Sequence, residues 1–460
     1  MPAAISSRQR LILAILLGAG FLLSVDFSIL NVALPEVGAG VGLSIGQLPW
    51  IASAYALPAA GFTLLFGRLA DIFGRRLLFM MGMIVLIGAS ILGGSASTPE
   101  VLLTARALQG FATAMTIPAA MSLITTSFAE GPLRARVLGL NGALLSAGFT
   151  VGALVGGALV SVLSWRASFF INVPVAGAIL LLTPFFIKES TMPARVKLDL
   201  PGAITVTGGL LALVYAIIER SLPVGAVGMV LLAGFWLIEL RSPAPLAPVW
   251  ILRRPTVKWG NYAGFVVFTM ETAMIFLMTL YLQEVLALSP LATGLIFGIP
   301  GLAATAAGVL AGRLIGRYGS RKVLVGGLLV QAIATLPLVF LSADRTALAV
   351  LIPALFVGFF GHVTAIVAYT VTATSGLPDG EQGLATGLAS MTQQVAITVG
   401  IPILGAVAAT QIEQMSGIRL ALGVNVAVTL ASVLLIWLGL RPRSGALRAE
   451  PVGSVSRPMQ

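Results

Sequence analysis

Charge is scarce in this chain. Asp, Glu, Lys and Arg make up 9% of the 460 residues, against about 25% in a soluble domain, too few to clothe a water-facing surface. Cysteine is absent, which excludes a disulfide frame, an iron–sulfur site and a thiol nucleophile. Histidine occurs once, at His362, and the acids are scattered, so no metal-ligand cluster is present and no metal or cofactor is expected. None of the four lysines follows a glycine, so the phosphate loop of a self-contained ATP-driven pump is missing. No Ser/His/Asp set and no paired carboxylates stand outside the apolar stretches, so an enzyme is not expected. The formal net charge is +11. On a soluble protein this excess would suggest nucleic acid. Here the basic residues sit in loops between apolar runs, and membrane topology accounts for them without a nucleic-acid partner.

What is present is apolar length. Hydrophobic residues form 58% of the chain, and approximate apolar runs lie at 11–33, 49–66, 77–97, 101–126, 137–160, 167–187, 200–218, 223–240, 259–283, 290–312, 323–342, 347–373, 384–410 and 419–440. Most are close to the roughly 20 residues a helix needs to span a bilayer, which gives fourteen expected spans. The weakest are 200–218 and 223–240, joined by the short turn Glu219-Arg220-Ser221, with Glu219 and Glu239 expected at interfacial ends. The first run is full length with no small-residue cleavage site after it, and reads as a retained span. With the amino terminus inside, 22 of the 27 Lys and Arg fall on the inner side. Arg166, Arg220, Arg345 and Arg419 fall outside, and Arg106 lies within a span. That bias predicts a multi-pass protein of the cell (inner) membrane with both termini cytoplasmic.

The chain also repeats. GRLADIFGRRLLF at 67–79 returns as GRLIGRYGSRKVL at 312–324, an offset of 245. The same offset places Asp26 on Glu271, Ser44 on Ser289, Arg68 on Arg313, Gly74 on Gly319 and Arg76 on Arg321. Later in each half the offset becomes 248, relating Gly139 to Gly387, Gly152 to Gly400 and Gly157 to Gly405. Matched halves with a carboxylate inside an apolar run at equivalent positions are the layout of a two-fold-built membrane transporter. The expected organisation is a six-helix bundle at 1–190, two inserted transmembrane helices at 191–241 and an interfacial linker at 242–258. A second six-helix bundle follows at 259–440, then a cytoplasmic tail at 441–460. The linker holds the Pro-rich, basic stretch SPAPLAPVWILRRPTVK.

Several short motifs carry a family resemblance. Gly67-Arg-Leu-Ala-Asp71-Ile-Phe-Gly74-Arg75-Arg76 fits the G-x-L-A-D-r-x-G-r-k/r loop of the major facilitator superfamily, with Ile72 at a position that is often basic. SVDFSILNVALPEV, with Asp26, Ser28, Asn31 and Pro35 in register, resembles the first-span element of its fourteen-span drug:proton antiporter branch. Arg106-Ala-Leu-Gln109-Gly110 is similar to the family's R-x-x-Q-G element. Gly148-Phe-Thr-Val-Gly152-Ala153-Leu-Val-Gly156-Gly157 resembles G-x-x-x-G-P-x-x-G-G, with Ala153 where that element has proline. The resemblance implies an all-α integral membrane protein of the major facilitator fold, built as two six-helix bundles plus two inserted helices. It also implies proton-coupled multidrug efflux by alternating access. In such proteins the first loop is a latch between bundles, which assigns Gly67, Asp71, Gly74, Arg75, Arg76, Arg313 and Arg321; the plainer alternative is a topogenic loop. The tandem glycines Gly148, Gly152, Gly156 and Gly157 permit close helix packing.

An ionisable group inside a span is costly and marks function by default. Asp26 and Glu271 are therefore the expected exchangeable carboxylates, facing a shared cavity from opposite bundles. Asp26 has a rival reading as a permanently charged partner of Arg106, and Glu271 as a helix–helix contact. His362 lies mid-span, either as a proton relay or as a satisfied hydrogen-bonder. Tyr55, Phe62, Phe149, Phe265, Phe268, Met270, Met274 and Phe276 are wall candidates, with Asn31 added by the first-span motif. The expected function is proton-coupled export of amphipathic, in part cationic, drugs or toxic compounds by a protein that works in the bilayer as a monomer. A dedicated exporter of one metabolite, lipid or antibiotic, an uptake symporter and a non-transporting scaffold are the rivals.

Overall fold

The computed structural model describes residues 6–128, 132–190, 199–243, 245, 249–375, 377 and 379–441, and they contain no β-strand. The first half has α1 (Ser7–Val41), α2 (Pro49–Phe73), α3 (Arg75–Gly94), α4 (Pro99–Ser127), α5 (Pro132–Val162) and α6 (Ala167–Phe186, interrupted at Ile171). The pair α7 (Leu200–Ile218) and α8 (Leu222–Arg241) follows. The second half has α9 (Pro255–Leu280, continued by a π-helical turn Tyr281–Val285), α10 (Pro290–Tyr318), α11 (Ser320–Thr335), α12 (Leu348–Thr374), α13 (Asp379–Ala408) and α14 (Gln414–Gly439). Among the described residues twelve helices are long and apolar enough to cross a membrane; α2 and α5 are not among the twelve.

The helix ends are written in the sequence. Ser6 opens α1 with a capping box: its Oγ accepts from Gln9 N–H at 3.2 Å, and Gln9 Oε1 accepts from Ser6 N–H at 2.9 Å. Gly42 closes α1 at φ +84°, a conformation that favours glycine. Ser289 caps α10 directly before Pro290, whereas its repeat partner Ser44 caps a short 3-10 turn, Ile45–Gln47, that leads into α2 at Pro49.

Successive helices run antiparallel through short connections, so the start of α1, the α2–α3 and α10–α11 loops and the end of α14 share one face, the basic end. The first bundle is knit by α1 on α5, α2 on α4 and α3 on α4 and α6; the second by α9 on α13, α10 on α12 and α11 on α12 and α14. The bundles meet along two seams, α5 with α10 and α2 with α13. Helix α7 packs on α2 and α13 and covers the second seam. Helix α8 stands outermost, with 17% of its apolar window buried against 94% for α9. Glu239, two residues from the end of α8, is buried beside Gly202 at the start of α7, and Glu219 accepts a hydrogen bond from Trp50 Nε1 at 3.1 Å.

Contact along the α5–α10 seam ends part-way. Gly294, Gly298 and Gly301 of α10 press on Ala153, Leu154 and Thr150 of α5. About two and three turns further toward the basic end, a side chain added at Gly308 or Gly312 of α10 would meet nothing within 4 Å. Hydrogen bonds between bundles cluster at the opposite end. Gln283 Nε2 donates to Val32 O at 2.7 Å, Leu291 N–H to Ser161 Oγ at 3.0 Å, and Thr398 Oγ1 to Ala56 O at 3.1 Å. Among the described residues, the bonds between the bundles lie away from the basic end.

Candidate transport site

Asp26 is buried at the centre of a polar cluster in the first bundle. Arg106 Nη1 donates to its Oδ2 at 3.3 Å, while Gln109 Nε2 (3.0 Å) and Asn172 Nδ2 (2.5 Å) donate to Oδ1. Ser90 Oγ accepts from Gln109 and Asn172, which holds both amides in place. Arg106, 1% exposed, also donates to Gln109 Oε1 at 2.6 Å and to Ile51 O at 3.2 Å. A buried charge pair is tolerable when its own donors and acceptors are met, and here Gln109, Asn172 and the Ile51 carbonyl engage the pair, while Asn172 Oδ1 has no partner among the described residues. Tyr55 covers the cluster. Its ring lies 4.4 Å from the Arg106 guanidinium carbon, and its hydroxyl is 2.7 Å from Thr113 Oγ1.

Glu271 sits at the equivalent repeat position in different surroundings. Gln331 Nε2 donates to its Oε2 at 3.3 Å, and His362 Nδ1 lies 3.7 Å from the same oxygen, in contact but beyond a hydrogen bond. Glu271 Oε1, Gln331 Oε1 and His362 Nδ1 have no hydrogen-bond partner among the described residues. Phe268 and Phe359 flank the imidazole edge-on, each with its ring centroid 6.1 Å away. Such an unmet carboxylate oxygen is expensive in an apolar interior unless a ligand or proton engages it.

A cavity of about 430 Å³ lies between the bundles, lined from α1, α2, α4 and α5 on one side and α9, α10, α12 and α13 on the other. Tyr55, Phe149, Phe268, Glu271 and His362 reach its wall. Asp26 and Arg106 do not: Tyr55 stands between their cluster and the space. Glu271 is the one carboxylate on the wall among the described residues. Asn31 turns back on its own helix, donating to Phe27 O at 3.2 Å, and Met274 packs by Thr335; neither lines the cavity. Sequence reasoning missed Asn172 and Gln331. Each is a lone amide in an otherwise apolar stretch, the signal by which it could have been found.

Gly148, Gly152 and Gly156 form one face of α5 and lie on Phe21, Val25 and Ile29 of α1, while Gly157 turns to Pro290 of α10. Gly400 repeats the arrangement, with α13 on Thr269 of α9. At the basic end Gly74 (φ +120°) and Gly319 (φ +81°) make the sharp turns of the two matched loops. Gly67 packs near Pro118. Glu189, just beyond α6, accepts from Arg76 N–H at 2.9 Å and Leu77 N–H at 3.0 Å, and Arg75 N–H donates to Ser190 O at 3.2 Å. A carboxylate on the exposed amides of a helix start is a favourable pairing. The offset of 248 places Glu189 on Trp437, and there Arg321 stacks at 4.0 Å and donates to Trp437 O at 2.6 Å. The same tie of loop to last helix is thus made by two chemistries. Arg313 is exposed, and the side chains of Arg68 and Asp71 lie outside the described residues.

Two bundles around a central cavity, with ionisable groups inside the spans, define a secondary membrane transporter. The chain belongs to the Major Facilitator Superfamily, whose model matches residues 16–401. It is 34% identical to the puromycin resistance protein pur8 of Streptomyces alboniger, covering 96% of this chain and 93% of that one. It is 33% identical to the cephamycin export protein CmcT of Amycolatopsis lactamdurans (84% and 82%) and 32% identical to the multidrug resistance protein Stp of Mycobacterium tuberculosis (88% and 76%). The fold is similar to that of the nucleoside transporter NupG, with a TM-score of 0.67 at 10% identity over 93% of this chain and all of that one.

Proposed function

We propose that this protein is a proton-driven exporter of amphipathic drugs or toxic compounds, cationic ones among them, and that Glu271 is where proton and cargo compete. The observation that carries the reading is the position of Glu271 on the cavity wall with Oε1 unpartnered. An ammonium or similar cation gains from a carboxylate in a low-dielectric site, and a proton on that carboxylate removes the gain. The resistance and export proteins similar over most of the chain support the drug-export half of the reading.

In this reading α2 and α5 also cross the bilayer, which makes fourteen spans, and the basic end faces the cytoplasm. Cargo then enters from the cytoplasm between the basic ends of the two bundles. Its apolar part lies against Phe149, Phe268 and Phe359, and its charge against Glu271. Rocking of the bundles closes the basic end and opens the other. A proton from outside then takes Glu271, the cation leaves, and the return swing delivers the proton inward. His362, 3.7 Å from Glu271, is the group placed to pass that proton on. Asp26 and Arg106 hold the first bundle together as a fixed charge pair. The glycine turns and Arg76–Glu189 serve the latch.

Proteoliposomes with an imposed pH gradient test this. Dye or drug should move only when protons run the other way, and Glu271→Gln should abolish the movement. Cargo moving in the same direction as protons would make the protein an uptake symporter. A single accepted compound from a broad panel would make it a dedicated exporter, a reading favoured by relatives named for puromycin and cephamycin.

A further inference from the structure

The far end of the second bundle carries a trough that the transport cycle does not use. It has a volume of about 640 Å³ and runs along the outer face of α14 past Arg419, Leu420, Gly423, Val424 and Ala427, with Val339 and Phe340 from the turn after α11 forming its other bank. Its lining is apolar except for Arg419. Gly423 and Ala427 are small, and a side chain added at Gly423 would meet nothing within 4 Å. Phe340 is 77% exposed beside it. Arg419 to Ala427 is eight residues, so the trough follows α14 for about 12 Å toward the bilayer centre.

Arg419 stands at the mouth of this trough, about one and a half turns into α14. Its Nε and Nη2 both donate to Leu341 O, at 3.0 and 2.6 Å, which fixes the guanidinium and leaves Nη1 without a hydrogen bond among the described residues. The acids nearby are engaged elsewhere: Asp344 accepts from Thr346 N–H at 2.8 Å and Glu413 from Ser416 Oγ at 2.6 Å. Two of the other three basic residues expected on this face are spoken for. Arg166 donates to Ala96 O and stacks on Trp165, and Arg220 donates to Ala409 O. Of Arg166, Arg220 and Arg419, only Arg419 lines this apolar trough, in a helix long and apolar enough to cross a membrane.

We infer that this trough is a binding site for an anionic glycerophospholipid of the adjacent leaflet, with the phosphate on Arg419 and one acyl chain along Gly423 and Ala427. Positive charge at the headgroup level with an apolar path below matches both parts of such a lipid. The test is native mass spectrometry of the intact purified protein, given equal amounts of phosphatidylglycerol and phosphatidylcholine. The wild type should retain phosphatidylglycerol about fivefold over phosphatidylcholine, as expected for one arginine at the surface. Arg419→Gln should bring the ratio near one. Gly423→Leu, which has room to fold, should lower retention of both lipids while Arg419 stays intact. Equal retention by the wild type, or an unchanged ratio in Arg419→Gln, would overturn the site. So would soluble glycerophosphate binding as well as the full lipid, because then only an anion contact exists.

Discussion

Asp26 and Glu271 occupy one repeat position in two bundles, yet one is finished and the other is not. Around Asp26 an arginine and two amides satisfy both oxygens, and Tyr55 closes the cluster off from the cavity. Around Glu271, among the described residues, there is one amide bond, an imidazole beyond bonding distance and no Lys or Arg, and Oε1 has no partner. A duplicated scaffold thus supplies two carboxylates at one repeat position, and under the proposed function their neighbours divide the labour: fixed charge at Asp26, exchangeable charge at Glu271.

Four experiments press on that contrast. The largest effect is expected on transport, where Glu271→Gln reduces gradient-driven efflux of a cationic dye to the level of empty liposomes while the protein still folds. The second concerns stability. Asp26→Asn leaves Arg106 buried without a counter-charge and should cost about 3–5 kcal/mol, read as thermal unfolding in detergent, whereas Glu271→Gln strands no cation and should stay within about 1 kcal/mol of wild type. Equal losses from the two variants would erase the distinction. The third compares the matched turns. Gly319→Ala should cost about 1–3 kcal/mol for its positive φ alone. Gly74→Ala should cost more, because the added methyl also meets the Glu189 carboxylate at 2.7–2.8 Å. The smallest effect belongs to Tyr55→Phe. It removes the hydroxyl contact with Thr113 but keeps the ring over Arg106, for a loss of about 1 kcal/mol.

Much of this was readable before any fold. The offset of 245 identifies the matched halves, the two glycine turns and the two carboxylates, because each needs a particular residue at one position. The capped helix starts at Ser6 and Ser289 are local and equally legible. The different fates of Asp26 and Glu271 are not local. They depend on Asn172 reaching Asp26 from α6 and Gln331 reaching Glu271 from α11, contacts 146 and 60 residues apart in the chain. The expectation of a chamber shared by both carboxylates fails for that reason: Tyr55, from a third helix, stands in between. The replacement of Glu189 by Trp437 at matched positions was likewise hidden, since neither residue lies in the repeated motif.

The most direct measurement is the affinity of the purified protein for a lipophilic monocation as a function of pH, in wild type and Glu271→Gln. If proton and cation exclude each other at one carboxyl, the wild-type Kd rises on the acid side by about tenfold per pH unit, and the variant binds weakly with a flat profile. A steep acid limb that survives in Glu271→Gln, or a wild type indifferent to pH, would contradict the account.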